Sequence, residues 1–133
     1  MSEHIEAVVR ECTAGSDEGR MTFPEVLQKL AAVGVERYHA DLCRAEKTYY
    51  LSEGRSIVVQ AEPARGTVAP TFSPDGVSAA VRASQAGAIS YARFCERVLE
   101  AGCAGYVVSL SGRRVLYFGR TAETYVEPFP LTA

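Results

Sequence analysis

The sequence contains no long apolar run. A membrane-spanning helix needs about 20 consecutive apolar residues, and no stretch of the 133 residues approaches that length. The N-terminal stretch is MSEHIEAVVREC, which carries acidic residues where a secretory signal peptide is basic. We therefore expect a cytoplasmic protein that has no membrane partner.

Basic charge is also scarce. The 14 lysines and arginines are outnumbered by 16 aspartates and glutamates, which gives a formal net charge of −2. A protein that binds nucleic acid normally shows a basic excess or a basic stripe. The charge balance argues against nucleic acid as a partner.

Metal-binding and catalytic motifs are missing. The four cysteines form no C-x-x-C pair and have no histidine at zinc-finger spacing. An EF-hand loop aligned on Gly19 or Gly87 would place Ala14 or Arg82 at the first ligand position, where calcium needs a carboxylate. There is no G-x-G-x-x-G, P-loop, H-E-x-x-H or G-x-S-x-G motif. The sequence therefore predicts no metal and no cofactor.

The sequence does contain enough apolar residues for one core. Apolar residues make up 47% and charged residues 23% of the chain, as in ordinary globular proteins. A chain of this length is expected to form a single domain, here residues 1–133, and to hide about two-thirds of its unfolded surface.

The first half of the chain predicts two helices followed by three strands. Helical spacing of apolar residues indicates a helix over 3–13, which the segment GSDEG (15–19) is expected to end. Thr22 begins a T-F-P-E capping box, and Gly34 is placed to end that second helix. Beyond Gly34 the apolar pattern alternates, and short turns separate three strands, which is typical of antiparallel hairpins.

The same order returns 68 positions later. Residues 61–74 contain three prolines and no periodicity, so we expect a surface connector. A helix then starts near Pro74, a second is capped by Ser90 and ends at Gly102, and three strands follow. Residues of the first half that are identical at this offset include Gly34, Tyr38, Leu42, Tyr49 and Val58.

We therefore predict an α+β fold of two tandem α-α-β-β-β repeats, at about 5–59 and 77–127. Antiparallel strands of both are expected to pack as one domain around a pseudo-twofold axis. Divided without gaps, the domain comprises a first repeat at 1–60, the connector at 61–74, and a second repeat at 75–130.

Residues matched between the repeats are expected to be structural, which places the tyrosine pairs 38/106 and 49/117 in the core. Polar residues found in one repeat only are the candidates for a site. In the first repeat they are Arg37, His39, Asp41 and Lys47; their counterparts are Gly105, Val107, Ser109 and Val115.

Two interpretations of these candidates stay open. Arg37, His39 and Asp41 fall on one strand face, and a carboxylate can hold a histidine in one tautomer and raise its pKa, as general bases require. Lys47 or Tyr49 would then be the catalytic partner. The other interpretation is a solvated outer face of the sheet.

The corresponding strand of the second repeat carries small and apolar residues. Cys103, Gly105 and Val107 are expected to form one face that a helix or a second subunit covers.

Arginines supply the candidates for ligand binding. Arg113 and Arg114 lie near a hairpin turn, and with Arg37 they are the positions where an anionic ligand would be held. Adjacent strand residues point to opposite faces, which argues against a converging cradle at Arg113 and Arg114.

Longer phrases carry a resemblance to a known family. They are TFPEVLxKLxxxGVxRYHxDL, the TYY strand, ISYxxFC with AGCxGY, and the ending FGRTxETYVEPFP. From about Ile5 to Pro130 the chain resembles a small bacterial family of unknown function, some of whose members are labelled "phage envelope protein". The resemblance implies a compact α+β domain in the bacterial cytoplasm, and implies no activity, cofactor or catalytic residue.

The function expected from the sequence is that of a small binding or interaction domain without catalysis. A homodimer is one expected assembly, and a small-molecule ligand is another expected partner. The alternative is a small-molecule enzyme in which His39 is the general base and Asp41 orients it.

Overall fold

The structure, a computed structural model, describes residues 2–130, in which four helices accompany six strands. None of these helices is long and apolar enough to cross a membrane. The helices are α1 (Ser2–Asp17), α2 (Phe23–Ala32), α3 (Pro74–Gln85) and α4 (Tyr91–Glu100). The strands are β1 (Val35–Asp41), β2 (Glu46–Leu51), β3 (Ser56–Gln60), β4 (Cys103–Ser109), β5 (Arg114–Gly119) and β6 (Thr124–Pro128).

The six strands form one sheet in the order β3-β2-β1-β4-β5-β6. Every neighbouring pair is antiparallel, and the central pair, β1 with β4, joins the first half of the chain to the second. The mixed α+β class and the antiparallel strands predicted from the sequence are confirmed.

The capping signals form the helix starts that they predicted. Thr22 Oγ1 accepts from the Glu25 N–H at 3.3 Å, and the Glu25 carboxylate accepts from the Thr22 N–H at 2.9 Å. At the starts of α3 and α4, Ser73 and Ser90 each accept one hydrogen bond, from the Gly76 and Arg93 N–H groups at 3.0 and 3.2 Å. Such caps satisfy amide groups that have no partner inside the helix.

The first helix is longer than predicted. α1 runs past the predicted end at residue 13 and ends at Asp17, which lies within the GSDEG segment that was expected to end it. Gly15 is helical, and the Met21 side chain packs over it so closely that a Cβ there would be 2.8 Å from the Met21 Cγ. The backbone leaves the helical conformation at Gly19, whose φ is 73°.

One face of the sheet packs against all four helices, and we call it the helix-covered face. Its side chains join helix residues such as Val9, Leu30, Val77 and Val98 in one buried core. The tyrosines predicted to be structural are all buried on this face: Tyr38, Tyr49, Tyr106 and Tyr117. Buried hydroxyls need partners, and two of these tyrosines have them. Tyr49 shares a hydrogen bond with Thr13 at 2.7 Å, and Tyr106 shares one with Tyr91 at 2.6 Å.

Candidate functional site

The second face of the sheet, which we call the open face, is covered by none of the described helices. Side chains of all six strands line up across its middle in a largely apolar row. In sheet order this central row is Val58, Thr48, His39, Val107, Leu116 and Val126. Its two ends are the most open, since Val58 is 53% and Val126 42% exposed.

Charged residues of opposite sign flank the central row. The row on one side contains Arg37 and Arg114, and we call it the basic row. The row on the other side contains Asp41 and Glu46, and we call it the acidic row. The open face is thus an apolar band between a positive and a negative border.

His39 packs into the central row. Its ring lies 5.7 Å from the ring of Phe118, and its neighbours along the row are Thr48 and Val107. Its Nε2 atom is buried and has no hydrogen-bond partner among the described residues. The imidazole therefore contributes to an apolar surface, and no carboxylate of the described chain pairs with it.

Asp41 is engaged by the turn that follows β1. Its Oδ1 accepts hydrogen bonds from the Cys43 and Arg44 N–H groups, both at 3.0 Å. In the β4–β5 turn, Ser109 Oγ accepts from the Gly112 N–H at 2.8 Å. Aspartate and serine are both turn residues that accept from nearby amides. Asp41 and its counterpart Ser109 therefore do the same structural work, although their chemistry differs.

Lys47 and Tyr49 lie on the helix-covered face, whereas His39 and Asp41 belong to the open face, although Asp41 and Lys47 both line one small cavity at the ends of their strands. Lys47 is only 4% exposed, and its Nζ sits 4.6 Å from the ring centroid of Tyr91 and 5.8 Å from that of Tyr38. Removal from water lowers the pKa of Lys47, an effect that the nearby Asp17 carboxylate partly opposes. The sheet therefore separates His39 from Lys47 and Tyr49, and a catalytic role for any of the four candidates stays a prediction.

The expected covered face of the second half is divided between the two sides of the sheet. A β-bulge lies between Cys103 and Gly105. Because a bulge shifts the side-chain alternation, Cys103 joins the buried core while Val107 lies on the open face. The prediction that these residues share one face was therefore wrong.

The three candidate arginines do not converge. The Arg37 guanidinium pairs with Glu36 and stacks 4.2 Å from the Tyr50 ring centroid. Arg113 lies in the turn, 5.6 Å from the ring of Phe129. Arg114 belongs to the open face, where its Nε donates to a turn carbonyl at 3.1 Å. A role in ligand binding stays a prediction for each of them separately.

Residues 6–127 match the model of a protein family described as "Protein of unknown function (DUF1398)". The chain belongs to the DUF1398 family. It is similar to the uncharacterized proteins Rv2012 of Mycobacterium tuberculosis and Mb2035 of Mycobacterium bovis, with 32% identity over 109 residues in each case. These alignments cover 80% of this chain and 66% of each mycobacterial protein, so the chain spans just under two thirds of their length.

The resemblance to a family of unknown function is thus confirmed. The matched descriptions name no reaction, ligand or partner. In the described part of this DUF1398 chain, no three metal-ligating side chains come together. Neither the family nor the geometry supports catalysis.

Sequence reasoning missed one buried polar cluster of the DUF1398 chain. Glu127, on the helix-covered face of β6, is 8% exposed and accepts from Arg82 at 2.8 and 3.2 Å and from the Tyr125 hydroxyl at 2.7 Å. Burial disfavours its charged form, but the hydrogen bonds from Arg82 and Tyr125 prevail and lower the pKa of Glu127. Comparing the two halves could have found it, because the residue 68 positions before Glu127 is Val59, so that Glu127 is a polar residue present in one half only.

Proposed function

We propose that this DUF1398 chain is an interaction domain whose open face binds a second copy of the same chain. The observation that carries the proposal is the central row, an apolar band across six strands that no described element covers. Contiguous apolar surface of this kind marks interaction sites, because leaving it in water is unfavourable. The role is one of binding, without catalysis.

The borders of the open face favour a second copy as the occupant. Two sheets packed face to face around a twofold axis along the central row would bring the basic row of each copy over the acidic row of the other. Arg37 would face the partner's Asp41, because both lie on β1 on either side of His39. Opposite charges would then meet at both borders while the central rows pack on each other.

The area of the open face predicts a weak dimer. Six strands spaced about 4.8 Å apart, with about five residues of about 3.3 Å each, give a face of about 29 by 17 Å. Two such faces bury about 1,000 Å² in total, which lies at the lower limit of specific interfaces. The dimer should therefore dissociate on dilution.

We also propose that the domain is built from two tandem repeats, 1–60 and 75–130, joined by the connector 61–74. Its support is that the strand pairings recur at one offset of 68 positions, and that β1 and β4 pair about His39 and Val107, which are themselves 68 positions apart. Both β-bulges and the positive φ angles of Ala45 and Arg113 recur at the same offset. A pseudo-twofold axis at the centre of the open face would make both repeats contribute to one surface.

A cytoplasmic location belongs to the same proposal. The four cysteines, Cys12, Cys43, Cys95 and Cys103, are free thiols in the described chain. Free thiols are typical of a reducing compartment.

Sedimentation equilibrium over a wide concentration range tests the dimer. We expect the wild type to change from monomer to dimer as concentration rises. Val58→Lys should stay monomeric, because each copy would bring a lysine against the same lysine of its partner across the axis. Ala92→Lys adds the same charge at an exposed helix position away from the face and is the control. A wild type that remains monomeric throughout, or a Val58→Lys protein that dimerises as well as the control, would refute the proposed interface.

A further inference from the structure

We propose that the outer edge of β3 binds an extended segment of another protein, which joins the sheet as an additional strand and places a lysine or arginine side chain in a groove beside α1. The main-chain groups of an edge strand point sideways out of the sheet, whereas the open face presents side chains. The proposal therefore concerns a different surface from the proposed dimer interface, and its test does not depend on dimerisation.

The first support is the row of main-chain groups that β3 presents at the edge of the sheet. No described strand follows β3 on its outer side. Hydrogen bonds to the Arg55 carbonyl and from the Ala61 N–H, both of 2.8 Å, join the two ends of this segment to its neighbour in the sheet. Because the direction of these bonds alternates along an antiparallel strand, every second residue points its N–H and C=O outwards. These residues are Ser56, Val58 and Gln60.

The edge of β6, which is equivalent to that of β3, is closed to such pairing. The Phe129 N–H bonds back to the β4–β5 turn at 2.9 Å, so the preceding residue, Pro128, lies where an N–H would point outwards, and proline has none. The neighbouring Glu127 points a charged side chain inwards. Proline and inward-pointing charges both keep edge strands from pairing with other chains. At the equivalent positions β3 has Gln60 and Val59, so its edge lacks both features.

A groove lies beside the edge of β3. It has a volume of about 310 Å³ and separates α1 from the segment 59–62. Its wall on α1 consists of Arg10, Thr13, Ala14, Asp17 and Glu18. Side chains of a strand alternate between the two faces of a sheet, so a strand added to β3 would direct every second side chain towards α1. The volume lies at the lower end of the range for ligand pockets, which gives room for a long side chain.

The charges of the groove favour a basic side chain. They are three carboxylates and one guanidinium, those of Asp17, Glu18, Glu62 and Arg10. Glu18 already pairs with Arg20 at 2.7 Å, and Arg10 lies 3.9 Å from Glu6. Asp17 accepts from the Glu62 N–H at 3.0 Å, and a carboxylate has room for further donors. A lysine or arginine that enters the groove would meet Asp17 and Glu62 with opposite charge.

A second copy of this chain is a poorer occupant of the edge. Its own edge strands, SIVVQ in β3 and TYVEP in β6, contain no lysine or arginine. Arg55 precedes β3, but its Nε bonds to Glu53 in the same turn at 2.7 Å. The occupant is therefore a segment of a different protein, with basic residues at alternate positions and β-branched residues between them, as extended segments that add to sheet edges require.

Two synthetic peptides test the edge. The peptide VKVKVKV can place all its lysines on one face of a strand, and VEVEVEV is its matched control. Fluorescence anisotropy of labelled peptides measures binding, and hydrogen exchange followed by NMR locates it. We expect VKVKVKV to bind and to slow exchange of the Ser56, Val58 and Gln60 amides, and VEVEVEV to bind severalfold more weakly. Failure of VKVKVKV to bind, or equal binding of both peptides, would overturn the proposal.

Methylation of main-chain nitrogens separates strand pairing from simple charge attraction. Paired residues of antiparallel strands have their side chains on the same face. When the lysines point towards α1, the valine amides therefore face β3 and the lysine amides face away from it. N-methylation of the valines should abolish binding, whereas N-methylation of the lysines should leave it intact. Equal binding of the two methylated peptides would contradict strand addition.

Variants of the protein locate the same site from the other side. Gln60→Pro copies the residue of β6 and removes one outward N–H, while Gln60→Ala keeps that N–H; both lose the side-chain bond to the Ala45 carbonyl. We expect only Gln60→Pro to weaken binding of VKVKVKV severalfold. Glu62→Lys should weaken it as well, and Glu100→Lys, at an exposed position of α4, is the control for charge.

Two further results would overturn the proposal. One is equal binding of VKVKVKV by Gln60→Pro and Gln60→Ala. The other is slow exchange of the Ser56, Val58 and Gln60 amides without peptide that becomes faster on dilution, because a second copy of the chain would then occupy the edge.

Discussion

Among the described residues, each half of the molecule buries one acidic or basic side chain where the other half has a valine. In the first half it is Lys47, and the equivalent residue of the second half, 68 positions later, is Val115. In the second half it is Glu127, and the equivalent residue of the first half is Val59. Glu127 is surrounded by donors and keeps its charge, while Lys47 faces aromatic rings and a small cavity. One framework thus accommodates a buried ionisable group in two ways, by pairing it with hydrogen-bond donors or by packing it against aromatic rings.

This difference separates a structural group from a candidate site. A fully paired carboxylate contributes to stability and has little capacity left for a ligand. A buried amine that only aromatic rings contact lowers stability. The effect of a substitution in one half can therefore be compared with that of a substitution at the equivalent position of the other half.

The largest expected difference in stability between the two halves concerns alanine substitution of the glycines that end α2 and α4. Gly34 and Gly102 have φ angles of 84° and 86°, but an added Cβ has open space at Gly34 and would be 2.1 Å from the Thr71 carbonyl oxygen at Gly102. Gly34→Ala should cost about 1 kcal/mol for its left-handed backbone. Gly102→Ala should cost about 3 to 4 kcal/mol, since overpacking against the connector adds to the strain.

Urea unfolding of both glycine variants checks this prediction. Hydrogen bonds hold the connector against the end of α4, including Ser73 N–H to Ala101 C=O at 2.7 Å, so the backbone at Thr71 cannot move away freely. Equal losses in the two variants would show that the connector yields more easily than this packing implies.

Breaking the ion pair between Arg82 and Glu127 should give the next largest loss of stability. Arg82→Ala removes two hydrogen bonds from the buried Glu127 carboxylate, and we expect a loss of stability smaller than that of Gly102→Ala, because Arg82 is half exposed. The folded-state pKa of Glu127 is lowered, so its contribution is present above about pH 4.3 and is lost as the pH falls through that lowered pKa. The penalty of Arg82→Ala should therefore shrink in acid.

A double variant isolates this interaction. Glu127→Val copies the residue of the first half, and Arg82→Ala should cost much less in that background. The measurement is the unfolding free energy of the four proteins in the cycle. An unchanged cost of Arg82→Ala would assign its effect to packing of the arginine stem.

Removing the amine of Lys47 should increase stability, which is opposite to the effect of breaking the Arg82–Glu127 pair. Lys47→Met removes the amine from the core, and we expect a gain of about 1.5 kcal/mol at neutral pH. The folded-state pKa of Lys47 is lowered, so the unfolded chain binds more protons between that pKa and about 10.4, and the wild type becomes more stable as the pH rises through this window.

The advantage of Lys47→Met should accordingly diminish towards alkaline pH. Unfolding curves at a series of pH values measure it, and Lys29→Met is the control because Lys29 is exposed. A constant difference between wild type and Lys47→Met at all pH values would mean that folding does not change the pKa of Lys47.

Several of these features could be predicted from the sequence, and the reasons are local. The caps at Thr22, Ser73 and Ser90 and the glycines Gly34 and Gly102 depend on neighbouring residues alone, and they appear as predicted. The burial of Lys47 was also within reach, because Lys47 precedes Tyr49 by two residues and alternation places both on one face.

Other features depend on contacts that a sequence pattern does not specify. The bulge between Cys103 and Gly105 places Cys103 on the helix-covered face and Val107 on the open face. A bulge adds one residue to a strand and thereby exchanges the faces of all side chains that follow it. The pairing of Glu127 with Arg82 joins β6 to α3 across 45 positions, which requires the packed fold. Asp41 was singled out by comparing residue types, whereas its turn contacts match those of Ser109.

The smallest expected effects concern these two turn residues, and they test whether Asp41 is structural. Asp41→Ala removes the acceptor of two amide groups and should cost about 1 kcal/mol, while Ser109→Ala removes the acceptor of one and should cost about 0.5 kcal/mol. Asp41→Ser should restore most of the loss, because a serine hydroxyl accepts from a turn amide as Ser109 does. Thermal unfolding of the three variants measures their relative stabilities. If Asp41→Ser were as unstable as Asp41→Ala, the carboxylate itself would be required, and the equivalence of the two turns would fail.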